Sequence, residues 1–521
     1  MSILLTSIIG LPFAGALAVA MIPRNNRLII RSVALLVTMV SMLLATYLFS
    51  EFQSGVLGYQ FVHEIAWIPS LGINYAVGVD GISVGIILMG AIVAFAATCL
   101  SHEITEREKE YYFLLLMMIG GILGAFASLD LFFFFAFHEF ALIPTFIMIG
   151  VWGRGENKNY AAFNITIYLT IGALLALFGL IALSVQAGAN SFDIRVITAA
   201  IKAKPLTGAV QAWIFPLLLF GFGILVSLWP FHSWAPLGYS AAPTATAMLH
   251  AGVLKKFGLY GLIRIAIPLM PIGSQAWMQV IAVLCLGNIL FCGFVAMRQR
   301  DLNLLIGNSS VAHMGFIFLG IASLTTLGVT GAVVIIIAHG LLAALSFGIS
   351  GHIYHQTKTL DMDQMGGFLK PMPFVGAAMV MAMMAGCGLP GFANFVGESM
   401  TLFAAWKVFP VVTSLAVWGG LVIGAVYMLR AIRSVLHGPV SPMGERMIDA
   451  VSFWRKLPFA LLLIGLLIFG VWPRLITDKV NPCVEEIIAM ATFGQPTAKV
   501  VPPPVKGKQR PPSRKRPAAR P

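Results

Sequence analysis

Glu139 stands beside His138 in a continuous apolar run, Leu131 to Ile149, and Lys256, His313, His339 and Glu398 fall inside other apolar stretches of the chain. Ionisable groups are costly in hydrocarbon and persist there mainly where they line a hydrated path or pair with one another. Carboxylate, lysine and histidine spread along several membrane helices have the chemistry of a proton or ion relay. Glu139 follows Asp130 by nine residues, about 13 Å along a helix at 1.5 Å per residue, and its short stem cannot reach an interface from there. At that depth it either keeps its proton or faces a cation or water. Lys256 lies twelve residues after Thr244 and eight before Arg264, near mid-helix, where a desolvated lysine can release and regain a proton. Histidine passes protons between two ring nitrogens, so His313 and His339 suit positions between carboxylate and lysine. Glu398 repeats the argument for Glu139. His138, Lys255, His250 and His232 are accessory candidates. Taken singly, each histidine fits a hydrogen-bonded packing role; the set points to a relay.

The elements that must position these groups are membrane helices. Of 521 residues, 59% are hydrophobic and 10% charged. About fourteen apolar runs, from 3–22 to 457–472, are long enough to cross a roughly 30 Å hydrocarbon core. They are continuously apolar rather than alternating, which predicts an all-α polytopic membrane protein and not a barrel. The first run lacks a positive residue before it and is followed by Arg24, Arg27 and Arg31, the pattern of a retained first helix with its N-terminus outside. Alternation from there assigns sixteen loop Lys and Arg residues to the cytoplasm and four (Arg195, Lys202, Lys204 and Lys407) to the exterior before the last helix. Both termini are thus expected to be periplasmic.

The net charge of +13 reflects that bias and a basic, Pro-rich tail, so it carries no implication of nucleic acid. The tail, 496–521, is expected to be disordered. Cys99, Cys285, Cys292, Cys387 and Cys483 form no CxxC pair, which argues against zinc, iron–sulfur or disulfide frameworks. No GxGxxG element or P-loop is present. The histidines lack ligand spacing with acidic partners, and His352 and His355 are read as lying at a loop end, so neither metal nor cofactor is expected.

Two segments break the apolar pattern: Leu228-Trp229-Pro230-Phe231-His232-Ser233-Trp234 and Gly386-Cys387-Gly388-Leu389-Pro390-Gly391-Phe392. Proline removes a backbone donor and glycine loosens the helix, so carbonyls are freed at membrane depth. Interrupted helices at matching places in two halves point to a transport pathway between inverted repeats. The expected organisation is N-terminal helices over 1–110, a first repeat over 111–270 and a second over 271–435. A C-terminal loop and last helix over 436–495 precede the tail.

His138-Glu139-Phe140-Ala141-Leu142-Ile143-Pro144-Thr145, Pro230-Phe231-His232-Ser233-Trp234, Ala251-Gly252-Val253-Leu254-Lys255-Lys256, Ser309-Ser310-Val311-Ala312-His313-Met314-Gly315 and Phe395-Val396-Gly397-Glu398 together carry a resemblance. The chain resembles the subunit M (subunit 4) family of proton-translocating NADH:quinone oxidoreductase, complex I, among the antiporter-like subunits shared with Na⁺/H⁺ antiporters and membrane-bound hydrogenases. The resemblance implies fourteen helices, with two inverted five-helix repeats broken near Pro230 and Pro390. It further implies residence in the bacterial inner membrane, partnership with neighbouring membrane-arm subunits, and NADH and quinone chemistry in other subunits. It gives proton-pathway roles to Glu139, Lys256, His313, His339 and Glu398. It also implies a lysine seven residues before His232, and there the chain has Leu225. A lysine or His250 from the eighth helix is the expected substitute. The alternative readings are a structural paralogue with an impaired channel, or a subunit of a cation/proton antiporter or hydrogenase.

Overall fold

The computed structural model describes residues 3–492; the basic tail, 496–521, lies outside them. The chain opens with α1 (Ile3–Met21) and α2 (Arg27–Glu51), then a two-stranded antiparallel hairpin of β1 (Gln60–Ile68) and β2 (Ile73–Val79). The hairpin is the one departure from an all-helical chain among the described residues. Next come α3 (Ser83–Leu100), α4 (Glu108–Ala127), α5 (Leu131–Trp152), α6 (Lys158–Ala187), the short α7 (Ile194–Ala203) and α8 (Gly208–Val226). After a break follow α9 (Trp234–Ala241), α10 (Thr244–Gly252), α11 (Phe257–Gly261), α12 (Ile267–Leu269), α13 (Pro271–Leu286) and α14 (Cys292–Arg298). The second half continues through α15 (Leu302–Ala322), α16 (Thr326–Thr357), α17 (Pro373–Gly386), α18 (Ala393–Val408), α19 (Pro410–Val417) and α20 (Gly424–Leu436). It closes with α21 (Phe453–Val471) and α22 (Arg474–Ala491).

Twelve uninterrupted spans are long and apolar enough to cross a bilayer. Two more crossings, 244–269 and 373–408, are interrupted, and with them the described residues make fourteen. Helices satisfy their own backbone groups, which is why apolar sequence of this length folds this way in lipid. α22 follows the last crossing and is amphipathic: Ile476, Val480, Cys483, Val484 and Ile487 are buried at helical spacing.

The two halves repeat one construction on opposite faces. In the first, Asp130 caps α5, and its neighbours bond across to the start of α7: Leu131 N to Phe192 O and Ile194 N to Leu129 O, both 2.8 Å. In the second, Asp301 caps α15, and Leu302 N meets Leu360 O while Met362 N meets Arg300 O, both 2.9 Å. The residue offsets are identical. Burial raises the pKa of both aspartates, opposed for Asp130 first by the Asn74 N–H of the hairpin and then by the N–H groups it caps, and for Asp301 by the N–H groups it caps. The breaks match as well. Ser227 (φ 66°) and Gly388 (φ 70°) are left-handed, and Leu228 N and Leu389 N each reach back five residues, to Gly223 O and Met384 O.

Ion pairs fix the two faces. On one, Arg195 joins Glu64 of the hairpin at 2.8 Å, and Arg264 meets Asp80 at 3.1 Å beneath α22. On the other, Glu103 accepts from Thr244 N at the start of α10 (2.8 Å) and holds Arg154 at 3.1 Å. Asp130 belongs to the first face and Asp301 to the second, so the repeats are inverted. His352 and His355 occupy the last turns of α16 on the second face rather than a loop end, because α16 runs on to Thr357.

Candidate functional site

α16 is the spine on which the site is built: apolar on all sides and buried along its span. Two glycines let its backbone be touched. A Cβ on Gly340 would strike Gly252 O at 2.9 Å, and one on Gly252 would strike Gly340 O at the same distance, so α10 lies directly against α16. Gly331 and Gly397 repeat the arrangement with α18, again at 2.9 Å each way. Small residues allow such approach between membrane helices. Lys256 follows Gly252 by four residues and Glu398 follows Gly397 by one, so these contacts carry both charges to the spine.

Lys256 sits where α10 gives way to a 3₁₀ turn, Leu254–Lys256, before α11. It is fully buried, and its Nζ lies 2.5 Å from Ala251 O and 2.9 Å from His339 Nδ1. A charged lysine donates to a neutral His339; a neutral lysine accepts from a protonated one. The same pair thus accommodates the proton on either partner. The His339 ring centroid is 5.4 Å from that of His313. His313 Nδ1 meets Ser309 O at 2.8 Å, and its Nε2 meets Gly386 O at 3.2 Å and Glu398 Oε1 at 3.7 Å. Nδ1 also lies 3.4 Å from the Ser309 hydroxyl, so the ring is satisfied neutral, with its proton on Nε2, or as an imidazolium donating from both nitrogens. Gly386 O is the carbonyl at the α17 break, so the interrupted helix supplies part of the site. Glu398 sits beside a cavity of about 10 Å³ lined by Phe316, Gly420 and Tyr427, the lower limit for one water. Gly388 takes a left-handed φ that favours glycine, and a Cβ there would stand 2.7 Å from Glu398 Oε2 and push the carboxylate aside.

The first half is built differently. Glu139 meets His138 Nδ1 at 3.3 Å, but its side chain is 30% exposed on the outer flank of α5, next to exposed Phe140 and Ile143. It is deep along the helix yet not on the interior face. His138 is buried and stacks on Phe257 at 4.2 Å. Neither ring nitrogen of buried His250, nor Nζ of buried Lys255, has a protein partner. His250 is flanked by Trp234 and Tyr239, at 5.6 and 5.5 Å, and Lys255 lies 5.7 Å from the Tyr239 ring. His232 is half-buried within the break, against Phe291, with Nδ1 at 3.2 Å from Pro230 O. Leu225 is packed into the apolar core.

Sequence reasoning missed Asn288. It is fully buried, accepts from Trp229 N at 2.8 Å and donates to Ser227 O at 2.9 Å and Val311 O at 3.2 Å. It thereby satisfies the α8 break, as His313 does for the α17 break, and ties that break to the helix carrying His313. A lone asparagine in an otherwise apolar run was the available signal. Asp80 and Arg264 were also missed as a pair. Tyr59 accepts from Arg264 Nε at 2.7 Å, and burial pushes the Tyr59 hydroxyl well up, against the pull of Arg264. Among the described residues, no three His, Cys, Asp or Glu side chains are gathered to hold a metal ion.

Inverted repeats with matched breaks, joined by buried ionisable groups, define an antiporter-like membrane subunit. Residues 128–424 match the family described as "NADH:quinone oxidoreductase/Mrp antiporter, TM", and the chain belongs to that family. It is 33% identical over 511 residues to NADH-quinone oxidoreductase subunit M of Rhodobacter capsulatus, covering 95% of this chain and 99% of the relative. It is 35% identical over 461 residues to F(420)H(2) dehydrogenase subunit M of Methanosarcina mazei, covering 86% and 91%. A chain of respiratory complex I from Thermus thermophilus superposes with a TM-score of 0.84 at 26% identity, covering 94% of this chain and 99% of that one.

Proposed function

We propose that the chain is a proton-translocating membrane-arm subunit of an NADH:quinone oxidoreductase, moving protons while electrons pass from NADH to quinone in other subunits. The row Lys256–His339–His313–Glu398, hydrogen-bonded at its first step and in ring and 3.7 Å contact beyond it, carries the reading. Lys256 and His339 share a proton across 2.9 Å, His313 turns between acceptors, and Glu398 is the terminal carrier. No cofactor acts in this chain. The relative named for F(420)H(2) is of similar identity, so the electron donor is set by the partner subunits.

The repeats, 111–270 and 271–435, act as two half-channels. Glu139 and His138 belong to the first, and the exposure of Glu139 fits a face covered by a neighbouring membrane-arm subunit, with lipid around the remaining apolar surface. The chain resides in a bacterial inner membrane, with both termini periplasmic and the Arg24, Arg154 and Arg300 face cytoplasmic, in keeping with the loop charges. Labelling a cysteine at position 299 with an impermeant reagent tests this: reaction from the cytoplasmic side is expected, and reaction from the periplasm reverses the orientation.

One observation favours a second reading, a structural paralogue impaired in its first half: no polar contact joins His138 to Lys256, and Leu225 stands where the family's lysine belongs. Replacing Glu139 or Glu398 by Gln separates the two. Sharply reduced pumping with assembly intact is expected for both on the relay reading. Unaltered pumping for both in reconstituted vesicles would remove the relay.

A further inference from the structure

On the face that carries the excess of arginine and lysine, a cavity of about 580 Å³ opens between the ends of α2, α3, α16 and α21. It plays no part in the relay. Its polar lining includes Arg31, Arg455, His102, His352 and His355, and no carboxylate lines it. Its walls are apolar at Leu100, Pro458 and Phe459.

The donors are held in place with capacity to spare. Arg31 gives Nε to Glu108 at 2.8 Å and Nη2 to Ile104 O at 3.2 Å, leaving Nη1. Glu108 also takes Arg27 at 3.4 Å, so two guanidiniums share one carboxylate and a positive charge is in surplus. His102 gives its Nδ1–H to Cys99 O at 3.2 Å, whereas His352 Nε2 accepts from the Gln356 amide at 3.0 Å, which leaves the His352 Nδ1–H as a free donor. The rings of His102 and His355 lie 6.0 Å apart. Arg455 and His355 are exposed. An anion is the complement of this lining.

The location says which anion. Four membrane-crossing helices end here, so the cavity lies at headgroup level. Phe453 and Trp454, in the first turn of α21, are 68% and 72% exposed, the position of interfacial aromatic anchors. A basic pocket between helix ends with apolar walls suits an amphiphile. We propose that this cavity binds one anionic phospholipid. Its phosphodiester sits among Arg31, Arg455 and the histidine N–H groups, and its acyl chains run along Leu100, Pro458 and Phe459.

Native mass spectrometry of the delipidated complex containing the full chain, reloaded with phosphatidylglycerol or phosphatidylcholine, tests this. Wild type is expected to retain one phosphatidylglycerol more than the Arg455→Gln/His355→Gln variant, with phosphatidylcholine binding equal in the two. Arg455→Gln alone is expected to weaken that lipid about fivefold, the worth of one basic residue at a membrane surface. Equal phosphatidylglycerol retention by variant and wild type overturns the site. Retention of phosphatidylcholine by wild type to the same extent as phosphatidylglycerol makes it an apolar pocket only, and displacement by millimolar inorganic phosphate makes it a phosphate site; either overturns the proposal. Both substituted residues are exposed, and a second measurement leaves them untouched. Trp454→p-benzoylphenylalanine is expected to crosslink to phosphatidylglycerol in mixed vesicles, and crosslinking in proportion to bulk lipid content would count against it.

Discussion

The two halves share a backbone plan and differ in how their ionisable groups are connected. From Lys256, near the end of the first repeat, the row passes into the second, with Lys256, His339, His313 and Glu398 following one another at 2.9, 5.4 and 3.7 Å, the middle figure between ring centroids. Within the first, Glu139 pairs with His138, and His138 stacks on the apolar Phe257 ring rather than on a polar partner in the row. Inverted repeats therefore fix where helices break, not which side chains meet. The connection into the second half depends on glycine pairs that bring α10 and α18 against α16; in the first, Gly121 of α4 packs on the α5 backbone at Phe137 O and Ala141 N, yet Glu139 faces outward.

Several substitutions would break or sharpen this contrast. Glu398→Gln is expected to have the largest effect, lowering proton transport about a hundredfold, the lower range for a positioned proton-transfer group, with assembly retained on native gels. Gly388→Ala is expected to act through the same carboxylate, since its Cβ meets Glu398 Oε2 at 2.7 Å in a left-handed turn; reduced pumping in an assembled complex checks it. Glu139→Gln is expected to reduce transport sharply but by less than Glu398→Gln, because its carboxylate is open on one side. In the first half, Lys255→Met is expected to depress pumping severalfold, and Leu225→Lys to restore part of it. Full activity in Lys255→Met would mean that Lys255 does not stand in for the missing lysine. The smallest expected effect is that of Asn288→Ala, costing about 1–3 kcal/mol by leaving backbone groups at the α8 break unpaired. It would be read as a lower melting temperature of the complex with pumping per turnover nearly unchanged.

Much of this was legible because charge in an apolar run is conspicuous. Lys256, His313, His339 and Glu398 stood out for that reason, and the proline and glycine breaks announced themselves the same way. The face on which Glu139 points was not legible: α5 is apolar on every side, so its sequence carries no directional signal. Asn288 is neutral and escaped a search for charge. The hairpin of β1 and β2 fell in a stretch between apolar runs where no element was assigned. α22 was overlooked because its apolar residues recur with helical spacing without forming a continuous run. Asp80 and Arg264 lie far apart in sequence, and only the fold makes them partners.

The central claim is that protons cross the spine through Lys256 and His339. The direct measurement is proton uptake by liposomes containing the complex, expressed per quinone reduced, for wild type and Lys256→Met. Lys256→Met is expected to leave quinone reduction by an assembled complex intact while this subunit's share of the proton yield is lost. A wild-type ratio of protons to quinone in Lys256→Met would contradict it.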